Sequence, residues 1–555
     1  MREKIIKSFK ETTEQLFSVS DIEVELTRPE EKFGDYATNL ALKLSKELNM
    51  PPREIADKIQ QYLSEYKPKF LEEITVAGPG FINIKITETE LLKQSEKVSV
   101  KTYKDLSVVA EYSDANPFKV LHVGHLYTTI VGDSIANILS YSGAKVHRIN
   151  FGGDVGLHVA KNIWAMLTDL GAEDSKLLNK INKDKRSEWL SACYVKGNNA
   201  YEENDKAQEE IKTLNKRIYK ISYDKDKESE LGKIYWKTRE WSYQAFDEFY
   251  SRIGAKFDKY IPESEIAELG TKIVLENVPK VYEKSNGAIV FKGENHNLFT
   301  NVFINSEGLP TYGAKDVGLI FKKWQDYRFD KSIIITSSEQ EMYMKVVQKS
   351  IEQFRPELSN SSIHFTHGFV RLVGGTKMSS RLGNILGANE VLDITKKFNK
   401  HDDPKEEIML AAVKYSFLKH RVGSDIIFDP KESVSLEGNS GPYLQYAHAR
   451  AQSILGKADL GKLRIINLVL EDGERSLLRK LAEFKEVIEL CGEELKSHYL
   501  CTYLYELTQV FNRFYEKNRV IGDERERIRL KLVDIYASHL KTGLGLLGIV
   551  APDKM

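Results

Sequence analysis

Residues 107–125 read SVVAEYSDANPFKVLHVGH, and residues 126–153 continue LYTTIVGDSIANILSYSGAKVHRINFGG. The run SVVAEYS, ending at Ser113, has the length and the β-branched content of a short buried strand. A polar turn follows. From near Gly124 onward Leu126, Ile130, Val131, Ile135, Ile138 and Leu139 fall on one helical face, and KVHRINFGG reads as a second strand. Strand, loop, helix, strand is the unit of a parallel, doubly wound sheet, so the expected fold class is an α/β Rossmann-type core.

Working outward, residues 1–100 read as a self-contained α+β module. MREKIIKSFKETTEQLF and TNLALKLSKELN carry helical periodicity, and in EEITVAGPGFINIKI the set Phe81, Asn83, Lys85 alternates with Ile82, Ile84, Ile86 as in a half-buried strand. The core is expected over 101–385. A charged, Lys-, Glu- and Tyr-rich helical insertion at about 172–260 packs beside its sheet. Strand signals resume at GAIVFKG, NVFIN, KSIIIT and FVRLVG, after which the chain reads as helical to its end, with a turn-rich break at DPKESVSLEGNSGP. This gives a helical connector at 386–435 and an all-α bundle at 436–555, with aromatic residues clustered at Tyr499, Tyr503, Tyr505, Phe511, Phe514 and Tyr515.

With 555 residues the chain is long enough for three or four domains at ~150 residues each. Its 81 Lys+Arg balance 81 Asp+Glu, so a polyanionic partner must be met by local patches, not by a global basic field. Cys193, Cys491 and Cys501 form no CxxC pair and no Cys/His cluster, which argues against a disulfide framework and a zinc site. No apolar run reaches the ~18 residues of a membrane span, so a cytoplasmic protein without a membrane partner is expected.

Two elements carry chemistry. His122 and His125 in HVGH sit at the C-terminal edge of a parallel strand beside a helix N-terminus, where phosphates bind, and Gly124 permits close approach of a ligand to the backbone. Neutral imidazoles there can donate hydrogen bonds to a triphosphate, although the tetrapeptide alone also fits ordinary turn histidines. The second element, GGTKMSSRLGN at 374–384, offers mobile glycines, Lys377 and the hydroxyls of Ser379 and Ser380, which can close over the same triphosphate or equally form a surface hairpin. Tyr312 and Asp316 share a helical face, as do Tyr443, Tyr446 and Arg450. From spacing alone the first pair fits a solvated i,i+4 contact and the second set a core helix. Glu111 closes an apolar strand, where a carboxylate is rarely structural because burying it unpaired is costly.

Together, His122-Val123-Gly124-His125 and Lys377-Met378-Ser379-Ser380-Arg381 resemble the HIGH and KMSKS signatures of class I aminoacyl-tRNA synthetases. EYSDANPFKVLHVGHLYTTIVGD, LPTYGAKDVGLIF, GNSGPYLQYAHAR, FGDYATNLAL, AGPGFINIKI and the ending GLGLLGIVAPDKM narrow the resemblance to the arginyl-tRNA synthetase family. It spans the chain except for about 172–245. Two departures stand out: Pro117 occupies a position commonly apolar, and Lys315-Asp316 stands where many relatives carry Arg-Asp.

The resemblance implies an ATP-dependent ligase that forms arginyl-adenylate, with Mg²⁺ accompanying ATP, and transfers the arginyl group to arginine tRNA. It implies that Lys119, His122, Gly124, His125, Lys377, Met378, Ser379 and Ser380 bind ATP, with His122, His125 and Lys377 catalytic. It further implies that Tyr312 and Asp316 hold the guanidinium of L-arginine, that Glu111, Asn116 and Gln340 contact the substrate elsewhere, and that Ser113 and His122 border the pocket. Phe81, Asn83, Tyr443, Tyr446, Arg450 and Met555 are its expected tRNA contacts. The expected state is a monomer. Two rivals remain at this stage: a nucleotidyl transferase that lacks tRNA, and a catalytically inactive paralogue that binds RNA.

Overall fold

A computed structural model describes residues 1–96, 98–374, 386–398, 405–458 and 468–555. In the N-terminal module the helices Arg2–Phe17, Leu40–Leu48 and Pro52–Tyr66 accompany an antiparallel sheet of β1 (Tyr36–Thr38), β2 (Leu71–Ala77) and β3 (Phe81–Ile86) in the order β1-β3-β2. Ile55, Ala56, Ile59 and Leu63 recur at helical spacing and are buried, and so are the alternating Ile82, Ile84 and Ile86. Asn83, expected on the outer face, is buried too. It pairs with Ala37 on one side and Thr75 on the other, at the centre of the three strands.

The core is a five-stranded, all-parallel sheet. β4 (Ser107–Glu111), β5 (Lys145–Gly152), β6 (Lys259–Pro262), β10 (Lys331–Ser337) and β11 (Ser362–His367) take the order β11-β10-β4-β5-β6. β4 ends at Glu111, two residues before the expected Ser113, because the next residues leave extended geometry. The motif helix Val123–Tyr141 is buried on nearly every side, not on one face. The sheet covers one side and the C-terminal helices cover the other. At Gly132 an added Cβ would lie 2.2 Å from the Tyr112 ring, so only glycine lets the helix seat this closely on the strand.

β7 (Glu283–Ser285), β8 (Ala288–Phe291) and β9 (Asn301–Ile304) form a separate antiparallel sheet, which holds GAIVFKG and NVFIN apart from the parallel one. Thr311 N donates to Phe303 O (2.9 Å), fixing the start of the pocket helix Tyr312–Tyr327. β12 (Val370–Leu372) pairs with β13 (Ile426–Phe428), which sequence patterning had not marked as a strand. The insertion builds its own core from the helices Arg186–Glu203, Asp205–Asp224 and Glu230–Ile253, with Leu190, Ile211, Ile218 and Ile234 packed on Val159 and Ile163 of the preceding helix Leu157–Leu170. The C-terminal part is helical from Glu406–Leu418 through the stripe helix Gly441–Leu455 to Glu526–Leu546. No helix among the described residues is long and apolar enough to cross a membrane, and all three cysteines are free and buried.

Candidate active site

The strand order puts the topological switch point between β4 and β10, and the segments leaving both strands line one cleft. After β4, Ser113, Asp114 and Phe118 adopt positive φ values of 75°, 51° and 67°. Left-handed geometry at three side-chain-bearing residues costs of order 1 kcal/mol each, so the surroundings must impose it. The Ser113 hydroxyl bonds the Tyr250 hydroxyl (2.7 Å), and Phe118 N donates to Ser242 Oγ (3.0 Å). Phe151 N donates to Asp114 Oδ1 (3.1 Å) and Gly153 N to Asn116 Oδ1 (2.6 Å). Tyr250 and Ser242 belong to the last helix of the insertion, which therefore helps to shape the loop.

His122 is the N-cap of the motif helix. Its Nδ1 accepts from Gly124 N (3.1 Å), and His125 Nδ1 accepts from His122 N (3.2 Å), a reciprocal capping box in which imidazoles replace the usual hydroxyl and carboxylate. An accepting Nδ1 leaves the ring proton on Nε2, so both rings are neutral donors. Burial, with the Lys119 charge adding to it, lowers His122 to about 4, and burial and the neighbouring His122 hold His125 well below the ordinary histidine value. The rings lie 3.9 Å apart. Lys119 is partly buried, with its own pKa lowered by desolvation, and sits over the Tyr194 ring (5.2 Å).

Lys377, Met378, Ser379 and Ser380 lie outside the described residues, but both flanks of their segment are placed. Val123 N donates to Leu386 O (3.0 Å) and Ala388 N to Leu121 O (2.9 Å), so the chain returning from that segment is stitched onto the histidine motif. A cavity of about 930 Å³ opens beside Lys119, Val120 and Leu121, between the insertion helices and residues 387–393.

Beyond the histidines lies a pocket in which acid exceeds base. Glu111 is buried, and its Oε2 accepts from Lys323 Nζ (2.6 Å), so the pocket helix supplies its counter-charge. Asp316 accepts from the Tyr343 hydroxyl (2.5 Å). Burial pushes its carboxyl up to about 7 against the pull of that bond, and the nearby Glu111 and Glu263 carboxylates add to the rise. Asp114 is raised well above its ordinary value by burial and by Glu111. Lys315 is paired with Glu263, both almost fully buried, so it brings no free cation to the pocket. Tyr312 stands at the exposed rim, and Gln340 is exposed at the end of the short helical turn that follows β10. A site with this surplus of buried, hydrogen-bonded carboxyl groups suits a planar cation with several donors.

Lys323, Tyr343, Glu263, Asp114 and Tyr250 were not singled out from sequence. Glu263 carried a signal that could have found it, because it follows β6 at the same carboxyl edge that singled out HVGH.

The candidate RNA contacts lie elsewhere. Phe81 is exposed, whereas Asn83 lies within its sheet. On the stripe helix Tyr446 is exposed, Arg450 covers the Tyr515 ring (4.5 Å), and the Tyr443 hydroxyl accepts from Asn512 (2.8 Å). The last residues are not a loose tail. Gln445 Nε2 donates to Val550 O (2.7 Å) and the His448 ring bonds Pro552 O (2.9 Å), which leaves Met555 exposed past the stripe helix that bears Tyr446.

Three family models match consecutive parts of the chain: the arginyl tRNA synthetase N-terminal domain at residues 2–86, the class I (R) tRNA synthetase catalytic domain at 87–429, and the DALR anticodon binding domain at 444–555. An arginine–tRNA ligase of Borreliella afzelii is 31% identical over 93% of this chain and 91% of its own length. One from Phocaeicola vulgatus is 27% identical over 96% of each. Among solved structures, the Thermus thermophilus arginyl-tRNA synthetase superposes over 100% of both chains with a TM-score of 0.83 at 26% identity. The Plasmodium falciparum arginyl-tRNA synthetase, at 24% identity and a TM-score of 0.80, shares the fold over 100% of this chain and 99% of its own. A neutral histidine pair at the switch point, an acidic pocket beside it and these end-to-end matches lead to one conclusion: the chain belongs to the arginyl-tRNA synthetase family.

Proposed function

We propose that the chain joins L-arginine and ATP into arginyl-adenylate, releasing pyrophosphate, and passes the arginyl group to the 3′-terminal adenosine of arginine tRNA. The observation that carries this reading is the acidic pocket around Asp316, set next to two neutral Nε2 donors at one sheet edge.

Asp316 and Tyr312 hold the guanidinium. Glu111 offers its second carboxylate oxygen, and with Asn116 and Gln340 it orients the rest of the amino acid while Ser113 and His122 border the pocket. The arginine carboxylate then attacks the α-phosphorus in line, with no covalent enzyme intermediate. His122 and His125 donate from Nε2 to the phosphate oxygens as charge builds there, which neutral rings do without exchanging protons. Lys119 and the backbone at Gly124 help to seat ATP, and Lys377, Met378, Ser379 and Ser380, outside the described residues, are its further contacts. Mg²⁺ arrives on the triphosphate as part of the substrate.

The cavity beside Lys119 gives the tRNA 3′ end a way in, while Phe81, Asn83, Tyr443, Tyr446, Arg450 and Met555 serve the body of the tRNA, Asn83 by supporting its exposed neighbour. The working state is a cytoplasmic monomer. Of the two rivals, the tRNA-free transferase leaves the exposed stripe and the pinned C-terminus without a purpose, and the inactive paralogue leaves the histidine tautomers without one. The test is charging: incubation with ATP, labelled amino acids one at a time and total tRNA should give acid-precipitable label with arginine alone. Label with lysine to a similar level would show that the pocket is misread.

A further inference from the structure

The insertion falls outside the recognisable motifs, yet one of its side chains reaches the amino-acid pocket. In the helix Asp205–Asp224, Ala207, Ile211, Leu214, Ile218 and Ile221 form the buried face, and Tyr219 projects from its flank. The Tyr219 ring lies 5.7 Å from Lys315 Nζ, and the Tyr312 ring lies 5.4 Å from the same nitrogen on the pocket helix. The tyrosine hydroxyl rests against Gly156, where φ is +115° and an added Cβ would lie 3.7 Å from the oxygen. Lys315 is therefore boxed in by two tyrosine rings and the Glu263 carboxylate, with 5% of its side chain exposed.

Boxing matters because of what Lys315 is next to. The following residue, Asp316, is the carboxyl that awaits the substrate's guanidinium. An ammonium on a flexible four-carbon stem beside it can either compete for that carboxylate or repel the incoming cation. One carboxylate oxygen does not immobilise three rotatable donors. A second acceptor does, and the Tyr219 hydroxyl, which hydrogen-bonds the ammonium, supplies it.

We propose that Tyr219, contributed by the insertion, is a positioning residue of the arginine pocket: it pins the Lys315 ammonium onto Glu263 and so keeps that charge off Asp316. The proposal rests on the reading that Asp316 receives the guanidinium. It gives the insertion a part in substrate affinity besides its scaffolding of the loop after β4. It also confines the effect to arginine binding, since Tyr219 is directed at Lys315 and not at the nucleotide.

The experiment is steady-state charging of arginine tRNA with varied arginine. Tyr219→Phe keeps the ring and removes the hydroxyl. Its arginine KM should rise about three- to ten-fold, the scale of one lost hydrogen bond, with kcat and the ATP KM within about two-fold of the parent and the melting temperature unchanged. In a Lys315→Gln background there is no ammonium to hold, so adding Tyr219→Phe should leave the arginine KM of that background where it was. An unaltered KM in Tyr219→Phe alone overturns the proposal. So does an equal rise in both backgrounds, because the tyrosine would then act on the pocket without Lys315. Asp316→Asn with an unchanged arginine KM would instead sink the pocket reading itself, whatever Tyr219 does.

Discussion

Asp316 lies buried in the pocket with the Tyr343 hydroxyl donating to it. Its carboxyl is held near 7 by burial and by the facing Glu111 and Glu263, with Tyr343 and Lys323 pulling the other way. In the proposed site arginine binds the ionised form, so its affinity should rise between about pH 6 and pH 8 with a slope of one proton and level off above. Asp316→Asn should abolish that slope. Isothermal titration at several pH values decides this, and a flat profile in the parent protein would assign the guanidinium to another acceptor. The same substitution should cost ~10²-fold or more in arginine affinity, as loss of a charge-assisted pair does. Its effect on stability has the opposite sign. The folded pKa lies above the unfolded one, so the unfolded chain binds fewer protons between about pH 4 and pH 7, and stability falls as pH rises through that window. At pH 8 the ionised side chain is a net liability in the arginine-free protein, so Asp316→Asn should melt at the same temperature as the parent or higher, which a thermal scan reads directly.

The motif helix shows how an element can carry two duties on one pair of side chains. His122 and His125 cap its N-terminus through Nδ1, which leaves the ring proton on Nε2 for the proposed nucleotide site. His122→Ala should therefore lose ~10²-fold in adenylate formation and also about 1 kcal/mol of stability, since the cap goes with the donor. His122→Asn separates the two, because asparagine is a good N-cap but does not reproduce the Nε2 donor. It should melt close to the parent and remain slow in pyrophosphate exchange. Recovery of the exchange rate with asparagine would reduce the histidine to a cap. The helix also shows the limit of periodicity. Leu126, Ile130 and Ile135 marked a buried face correctly, but Thr129, Ser134 and Tyr127 are buried as well. The opposite side is covered by helices from the C-terminal part, and Ser134 Oγ bonds Ser497 across 363 residues.

The whole molecule is tied together by polar contacts at its junctions. Arg28 of the N-terminal module grips Glu486 through two bonds (3.1 and 2.9 Å), and Arg475 reaches back to Asp35 (2.9 Å), so the first module and the helical bundle meet directly. At the other junction Lys414 donates to Gly548 O (2.5 Å), just before the segment that Gln445 and His448 pin to the stripe helix. Deleting Pro552 to Met555 removes the His448 bond, so a small loss of stability, about 1 kcal/mol, should accompany a loss of ~1 to 3 kcal/mol in affinity for arginine tRNA. Met555→Ala keeps the anchor and should show the affinity loss alone. An acceptor-stem substrate should be charged equally by all forms, and an unchanged KM for full-length tRNA in Met555→Ala would assign the methionine to solvent. The sequence by itself determined the strand-loop-helix-strand unit, the place of HVGH at its edge, the fold class and the family, because each depends on neighbours along the chain and on local periodicity. It did not reveal β13, a three-residue strand that exists only by pairing with β12, nor the burial of Asn83 between two partners. The charge balance of the arginine pocket lay beyond it too: Lys323 meets Glu111 across 212 residues and Lys315 meets Glu263 across 52. Desolvation and Coulomb interactions act through space, so which carboxyl groups are already satisfied and which still await a cation was decided only when the tertiary structure brought these groups together.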